Sequence, residues 1–336
     1  MIKRHLFIKA LLIIITIFIK VATLNAKTLK SEPIEITDFR GKKLILKKPV
    51  SRIVCLIESA LSGFYMLNEE KRIIGISTNI YNSNVFQYYA KMDERIREKK
   101  LPTPGNWDFV NIESVVSLKP DLVVIWSSQT ESINALEERG IPVYGVFISK
   151  IEDIYKEIRD FGKLTGNTKR AEELINYSQR EINRLRKKIE AKSIKSQSVY
   201  FMWAQGYMET SCGGSMVNDL IELAGGKNVC AHIQKEHAVI NMENLVVWNP
   251  EIIVMWYNEK ASPEDILTNP QWQKIKAVQS KRIYELPDVF VCDLWTLKYI
   301  YSVKLVSKWL HPELFIDVDL EKEKKIMFKS FFNGKL

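Results

Sequence analysis

The sequence predicts an α/β protein of two similar lobes, each on a central, mostly parallel sheet, joined by one long bridging α-helix. Three observations predict it. Leu245 to Tyr257 nearly repeats Val115 to Trp126. In both copies an apolar helix end meets a proline (Pro120, Pro250), an acid follows (Asp121, Glu251), and a β-branched run ends at tryptophan (Trp126, Trp256). Asn-x-Glu precedes each copy (Asn111 to Glu113, Asn241 to Glu243), which places a capping side chain and an acid at the positive end of a helix. Third, Lys169 to Lys192 carries Ala171, Leu174, Ile175, Ile182, Leu185 and Ile189 at three- and four-residue spacing and has no copy in either half. At 1.5 Å per residue it would run about 36 Å, long enough to span a small domain. A duplicated lobe leaves a cleft between its copies, and ligands bind in such clefts.

The chain divides into 1–26, 27–164, 165–195 and 196–336. Residues 1–26 read as a signal peptide: a basic start at Lys3 and Arg4, an aliphatic run from Leu11 to Ile19 shorter than a membrane span, and a cleavage site at Leu24-Asn25-Ala26. No cysteine lies near that site, so a lipid anchor is not expected, and the mature protein is expected in the periplasm.

In the first lobe, Val54 to Leu56 is a buried strand, Ser59 to Leu67 a helix and Arg72 to Ser77 a second strand, a β-α-β unit with parallel strands. Tyr81 to Leu101 is polar and aromatic, and Pro102-Thr103-Pro104-Gly105 breaks the chain, which predicts a loop with a short helix near the cleft. Then follow helix 111–119, strand 122–126, helix 132–139 ended by Gly140, strand 143–148, and helix 151–164 stopped at Gly166-Asn167. After the bridge come strand 198–203, helix 216–224 terminated at Gly225-Gly226, segment 242–248 leading into strand 252–256, segment 272–277, strand 282–285 and a closing helix 295–310.

The formal charge of +9 raises the question of nucleic acid. Much of it lies between Arg180 and Lys195, where Arg184, Arg186, Lys187 and Lys188 are interleaved with Glu181 and Glu190 and no stacking aromatics accompany them. This is the pattern of a solvated helix face, so no nucleic-acid partner is expected. The cysteines, Cys55, Cys212, Cys230 and Cys292, form no C-x-x-C pair, which argues against a zinc site. Cys212 and Cys230 flank one predicted helix and are available for a bridge in an oxidising compartment, whereas Cys55 reads as a buried thiol.

Strands of such sheets end at loops on one edge, where ligands sit. Those loops offer Asn106, Trp107, Gln129, Trp203, Gln205, Tyr207, Glu209, His237, Trp256, Tyr257 and Asp288, aromatic faces with a few polar tips that suit a bulky, partly apolar small molecule. No nucleophile elbow, phosphate-binding loop or H-E-x-x-H stands in the chain, so no catalytic residues are assigned and a binding protein is expected. A secreted enzyme on the same scaffold is the reading of another class.

Arg52 to Leu56, the two Asn-x-Glu segments with Leu118-Lys119-Pro120-Asp121, Leu223 to Val229 and Trp248-Asn249-Pro250, taken in order, resemble the helical-backbone substrate-binding proteins of ABC importers from about Ile36 to Phe315. The resemblance implies a monomer that captures a metal chelate between its lobes and delivers it to an inner-membrane permease with its ATPase. No resident cofactor is implied; a metal chelate (an iron-siderophore-like one first, with haem or cobalamin beside it) is the first expectation, with molybdate, tungstate or a nickel chelate as the alternative. Receptors for anionic ferric chelates place Arg or Lys in the cleft, and these loops are poor in Arg apart from Arg95 and Arg97. For an oxyanion, Ser127, Ser128, Thr210 and Ser215 are the hydroxyl donors. The resemblance further implies one docking carboxylate per lobe. Asp219 matches in the second lobe, while in the first Ser62 stands where the family usually has Glu, and Glu58, one turn earlier, is the substitute.

Overall fold

The computed structural model describes residues 33–191 and 195–336, so the predicted signal peptide lies outside the described residues. Each lobe holds a four-stranded parallel sheet. In the first the order is Ile73–Ile76, Ile53–Cys55, Leu122–Trp126, Val143–Val146; in the second it is Ile283–Glu285, Ile252–Met255, Gln197–Met202, Gly226–Asn228. The inner strands Ile53–Cys55 and Ile252–Met255 are buried throughout, as their unbroken apolar runs require when helices cover both faces.

The internal repeat has a physical basis. Helices Ile112–Ser117 and Met242–Trp248 are capped by the Asn111 and Asn241 side chains, which accept from Ser114 N and Asn244 N. The chain then turns through a residue of positive φ, Lys119 or Asn249, before the proline. The acid that follows pins the neighbouring strand: Asp121 accepts from the amides of Ser51 and Arg52, and Glu251 from the amide and hydroxyl of Ser198. Those donors hold the Glu251 carboxyl below its usual range.

The bridge is helix Thr168–Glu190, entered through left-handed Gly166. Helix Tyr299–Leu310 packs along it, and Lys304 pairs with Glu181 of the bridge and Glu323 of the last helix. That last helix, Leu320–Phe332, is absent from the sequence expectation, as is the antiparallel hairpin Ile34–Thr37/Lys43–Leu46. The last helix also packs on the bridge and the first lobe. Arg170 donates to Ser330 O at 2.7 Å, and Phe328 and Phe332 pack around Phe290 and Tyr88. One apolar core therefore runs from Ile53 through Phe290 to Phe332.

Two segments differ from expectation. Tyr81 to Leu101 contains helices Asn79–Asn82, Phe86–Met92 and Glu94–Arg97 in place of one short helix. The closing helix starts at Tyr299, four residues late, because Asp288 and Asp293 fold the preceding stretch into turns by accepting from Phe290 N, Val291 N and Trp295 N. No described helix is long and apolar enough to cross a membrane.

Candidate ligand-binding cleft

In both sheets the strand order reverses beside the central pair, and the ends of those strands face one another across the lobe boundary. Glu58 and Ser59 follow Ile53–Cys55, and Trp126 ends its neighbour. Opposite them, Trp203 and Trp256 follow Gln197–Met202 and Ile252–Met255. This is the reversal point at which open α/β sheets bind ligands. The cavity there measures about 480 Å³ and is lined by these five residues with Trp107, Gln205, His237, Asp293, Trp295 and polar Asn79, Asn82 and Ser83.

The indoles form a built wall. Trp203, 6% exposed, is held by its Nε1 donating to Ser211 Oγ at 2.8 Å. Its ring lies 5.3 Å from Trp256 and 6.2 Å, nearly parallel, from Trp295, and Trp256 meets Trp295 edge-on at 5.9 Å. His237 sits 5.6 Å from Trp203 at the exposed mouth. The loop carrying it is tied down by a Cys212–Cys230 disulfide, while Cys55 and Cys292 are buried thiols. Closing an 18-residue loop contributes roughly 3 kcal/mol by restricting the unfolded chain.

Of the sequence-predicted residues, Trp107, Trp203, Gln205, His237 and Trp256 meet in this cavity. Asn106 builds the loop that presents Trp107: its Oδ1 accepts from Asp108 N and Phe109 N, its Nδ2 donates to Asn79, and its carbonyl accepts from Gln129 Nε2. Asn106 and Gln129 are thus supports of the wall. Tyr207 packs on Trp272 in the outer core of the second lobe, and Glu209 pairs with Val239 in a two-residue strand; neither lines the cleft. Tyr257 and Asp288 join the lobes beside it, accepting from Asn84 Nδ2 at 3.2 Å and from Tyr88 Oη at 2.9 Å.

The hydroxyls named for an oxyanion are elsewhere: Ser127, Ser128, Thr210 and Ser215 do not line the cavity, and Ser215 caps helix Met216–Leu223. Arg95 and Arg97 are bound to Asp93 and Glu94. Glu58, read as a docking acid, turns into the cleft, where its carboxylate accepts from Ser77 Oγ at 2.7 Å. Ser62 is fully buried behind it, bonded to Tyr89 and to Lys298 Nζ. The two share one helix face at i, i+4 and differ in depth: Glu58 opens the helix at the cleft, and Ser62, one turn deeper, is covered by Tyr89 and Lys298. Asp293 and Trp295 also line the cleft; they stand in and at the end of the turn segment before helix Tyr299–Leu310, where no local pattern separates them from their neighbours.

Asp219 binds Ile151 N at 3.1 Å and Tyr299 Oη at 2.9 Å, which ties the start of the Ile151–Thr165 helix to the second lobe. Burial pushes its carboxyl up to about 6 against the lowering effect of those two donors. A raised carboxyl favours folding while protonated, so this contribution is complete below about pH 4 and is lost as pH rises to about 6. Asp219→Asn, which keeps an oxygen acceptor, is expected to stabilise the protein by about 1–3 kcal/mol at pH 7.5 and not at pH 4. Urea titrations at the two pH values check this; equal effects at both would show that the charge is not the cause.

The periplasmic binding protein family profile matches residues 53–289. The molybdate-binding protein MolA of Haemophilus influenzae is 24% identical over 326 residues, covering 88% of this chain and 90% of that one. The vitamin B12-binding protein of Pectobacterium carotovorum is 24% identical over 230 residues, covering 68% and 78%. The solved Ni-His complex of Helicobacter pylori CeuE shares the fold at a TM-score of 0.76 and 24% identity, covering 90% and 96%. With two parallel-sheet lobes, a bridging helix and a cleft at the strand reversal, the chain belongs to the periplasmic binding protein family, the solute-binding components of ABC transporters.

Proposed function

We propose that this protein is a periplasmic receptor that captures a bulky metal chelate between its lobes and hands it to an inner-membrane permease with its ATPase. The observation that carries this reading is the cleft: about 480 Å³, walled by five indoles, with a few polar groups from both lobes among them. Such a wall fits the flat or apolar body of an organic chelator. Among the described residues no three His, Cys, Asp or Glu side chains are grouped to hold a bare metal ion, so a metal would arrive inside its own chelator. Relatives named for molybdate, vitamin B12 and Ni-His span anions and large chelates. The aromatic lining supports the chelate over molybdate, and iron is the first metal to look for.

The protein purified from its own periplasm is expected to begin at Lys27 without lipid, to carry one metal-bearing small molecule by native mass spectrometry, and to stimulate the ATPase of its reconstituted importer. Turnover of a bound substrate by the receptor alone would favour the secreted-enzyme reading instead. For docking, Asp219 is the proposed carboxylate of the second lobe, and Asp219→Ala is expected to slow uptake without changing ligand affinity.

A further inference from the structure

The charges around the cleft are one-sided. Among the described residues no lysine or arginine lines it, whereas carboxylates enter from both lobes: Glu58 from the first and Asp293 from the second. Asp293 is 8% exposed; Oδ1 accepts from Trp295 N, and Oδ2 has no nearer cation than the Lys298 ammonium at 3.5 Å. Lys298 itself is fully buried behind the wall, with Nζ on Ser62 Oγ at 3.0 Å and 3.5 Å from the centre of the Phe290 ring. It cannot reach a ligand, and it neutralises one carboxylate of the two. Burial, and repulsion between the pair, raise the Glu58 carboxyl; burial raises that of Asp293 against the pull of Lys298. A positive charge placed between them would relieve both effects. Three indoles, Trp203, Trp256 and Trp295, pack within 5.3–6.2 Å of one another and line the same cavity as the two carboxylates. Electron-rich rings around a carboxylate are the chemistry by which proteins hold amines, quaternary ammonium groups and cationic complexes.

We propose that the cleft selects a cationic ligand, its positive centre caged by Trp203, Trp256 and Trp295 and neutralised by Glu58 and Asp293. This rests on the receptor reading and gives it a charge class: an amine-bearing or cationic metal chelate, in place of a ferric chelate or oxyanion of negative charge. The whole protein opposes such a preference, since its formal charge, +9 for the full chain and still positive without Lys3, Arg4, Lys9 and Lys20 of the expected signal peptide, attracts anions at long range. Selection of a cation would therefore report the cleft residues and not the overall field.

The test uses two inert cobalt(III) complexes of similar size and shape and opposite charge, the tris(ethylenediamine) trication and the tris(oxalato) trianion, titrated by tryptophan fluorescence at low ionic strength. The trication is expected to bind at least 30-fold tighter than the trianion. Glu58→Gln, which retains an acceptor for Ser77, is expected to weaken the trication at least tenfold and to leave the thermal midpoint near that of the parent. Equal or tighter binding of the trianion, an unchanged trication affinity in Glu58→Gln, or millimolar binding of neither complex would overturn the cationic assignment. The receptor reading fails separately, if protein from its own periplasm carries no small molecule and stimulates no importer.

Discussion

Phe290→Ala is expected to lower the unfolding free energy by about 3–5 kcal/mol, the range for a buried aromatic. Phe290 is 2% exposed and stacks on Tyr88 of the first lobe at 4.3 Å; it also packs on Tyr89, Phe328 and Phe332. Its ring is the face on which the buried Lys298 ammonium rests. Truncation would open a cavity where two lobes and the last helix meet, and would remove one of the few groups that stabilise a buried charge. The check is chemical denaturation with thermal melts, where a fall of roughly 10 °C is expected. Because the core is continuous across the lobes, the parent is expected to unfold in one transition. A loss below 1 kcal/mol, or separate lobe transitions in the parent, would mean that the lobes are joined only by the bridge.

Trp256→Ala is expected to reduce affinity for the co-purified ligand by about 2–4 kcal/mol, roughly 30- to 1000-fold, as for a central aromatic anchor. Trp256 touches both other indoles of the cage and stands at the end of a rigid strand. Trp107 also lines the cleft but is 55% exposed on a loop, so Trp107→Ala is expected to cost only about 1 kcal/mol, as rim contacts do. Calorimetric titration of both variants measures the difference. If Trp107→Ala lost more than Trp256→Ala, the binding hot spot would lie at the mouth and not in the cage.

The two lobes, their parallel strands and the bridge were legible in the chain because each rests on local physics. Asn111 and Asn241 cap helices, Pro120 and Pro250 end them, the runs after Asp121 and Glu251 bury on both faces, and the bridge repeats its apolar residues at helical spacing. Five cleft residues were legible for the same reason: Trp107, Trp203, Gln205, His237 and Trp256 stand at strand ends or on loops at one sheet edge. What only the tertiary structure decided is how the two edges meet. Glu58 and Asp293 lie 235 positions apart in the sequence, and nothing local to either says that they share a cavity, or that Lys298 lies buried behind the wall. Tyr257 and Asp288 carry the same sequence signal as Trp256, yet they fasten the lobes together, because Asn84 and Tyr88 reach them from the other side. The last helix returns to the bridge through Arg170 and to the first lobe through Phe328 on Tyr88, contacts whose partners are more than a hundred residues apart. Pattern along a chain reports which face of an element is apolar; the identity of what covers that face depends on the whole fold.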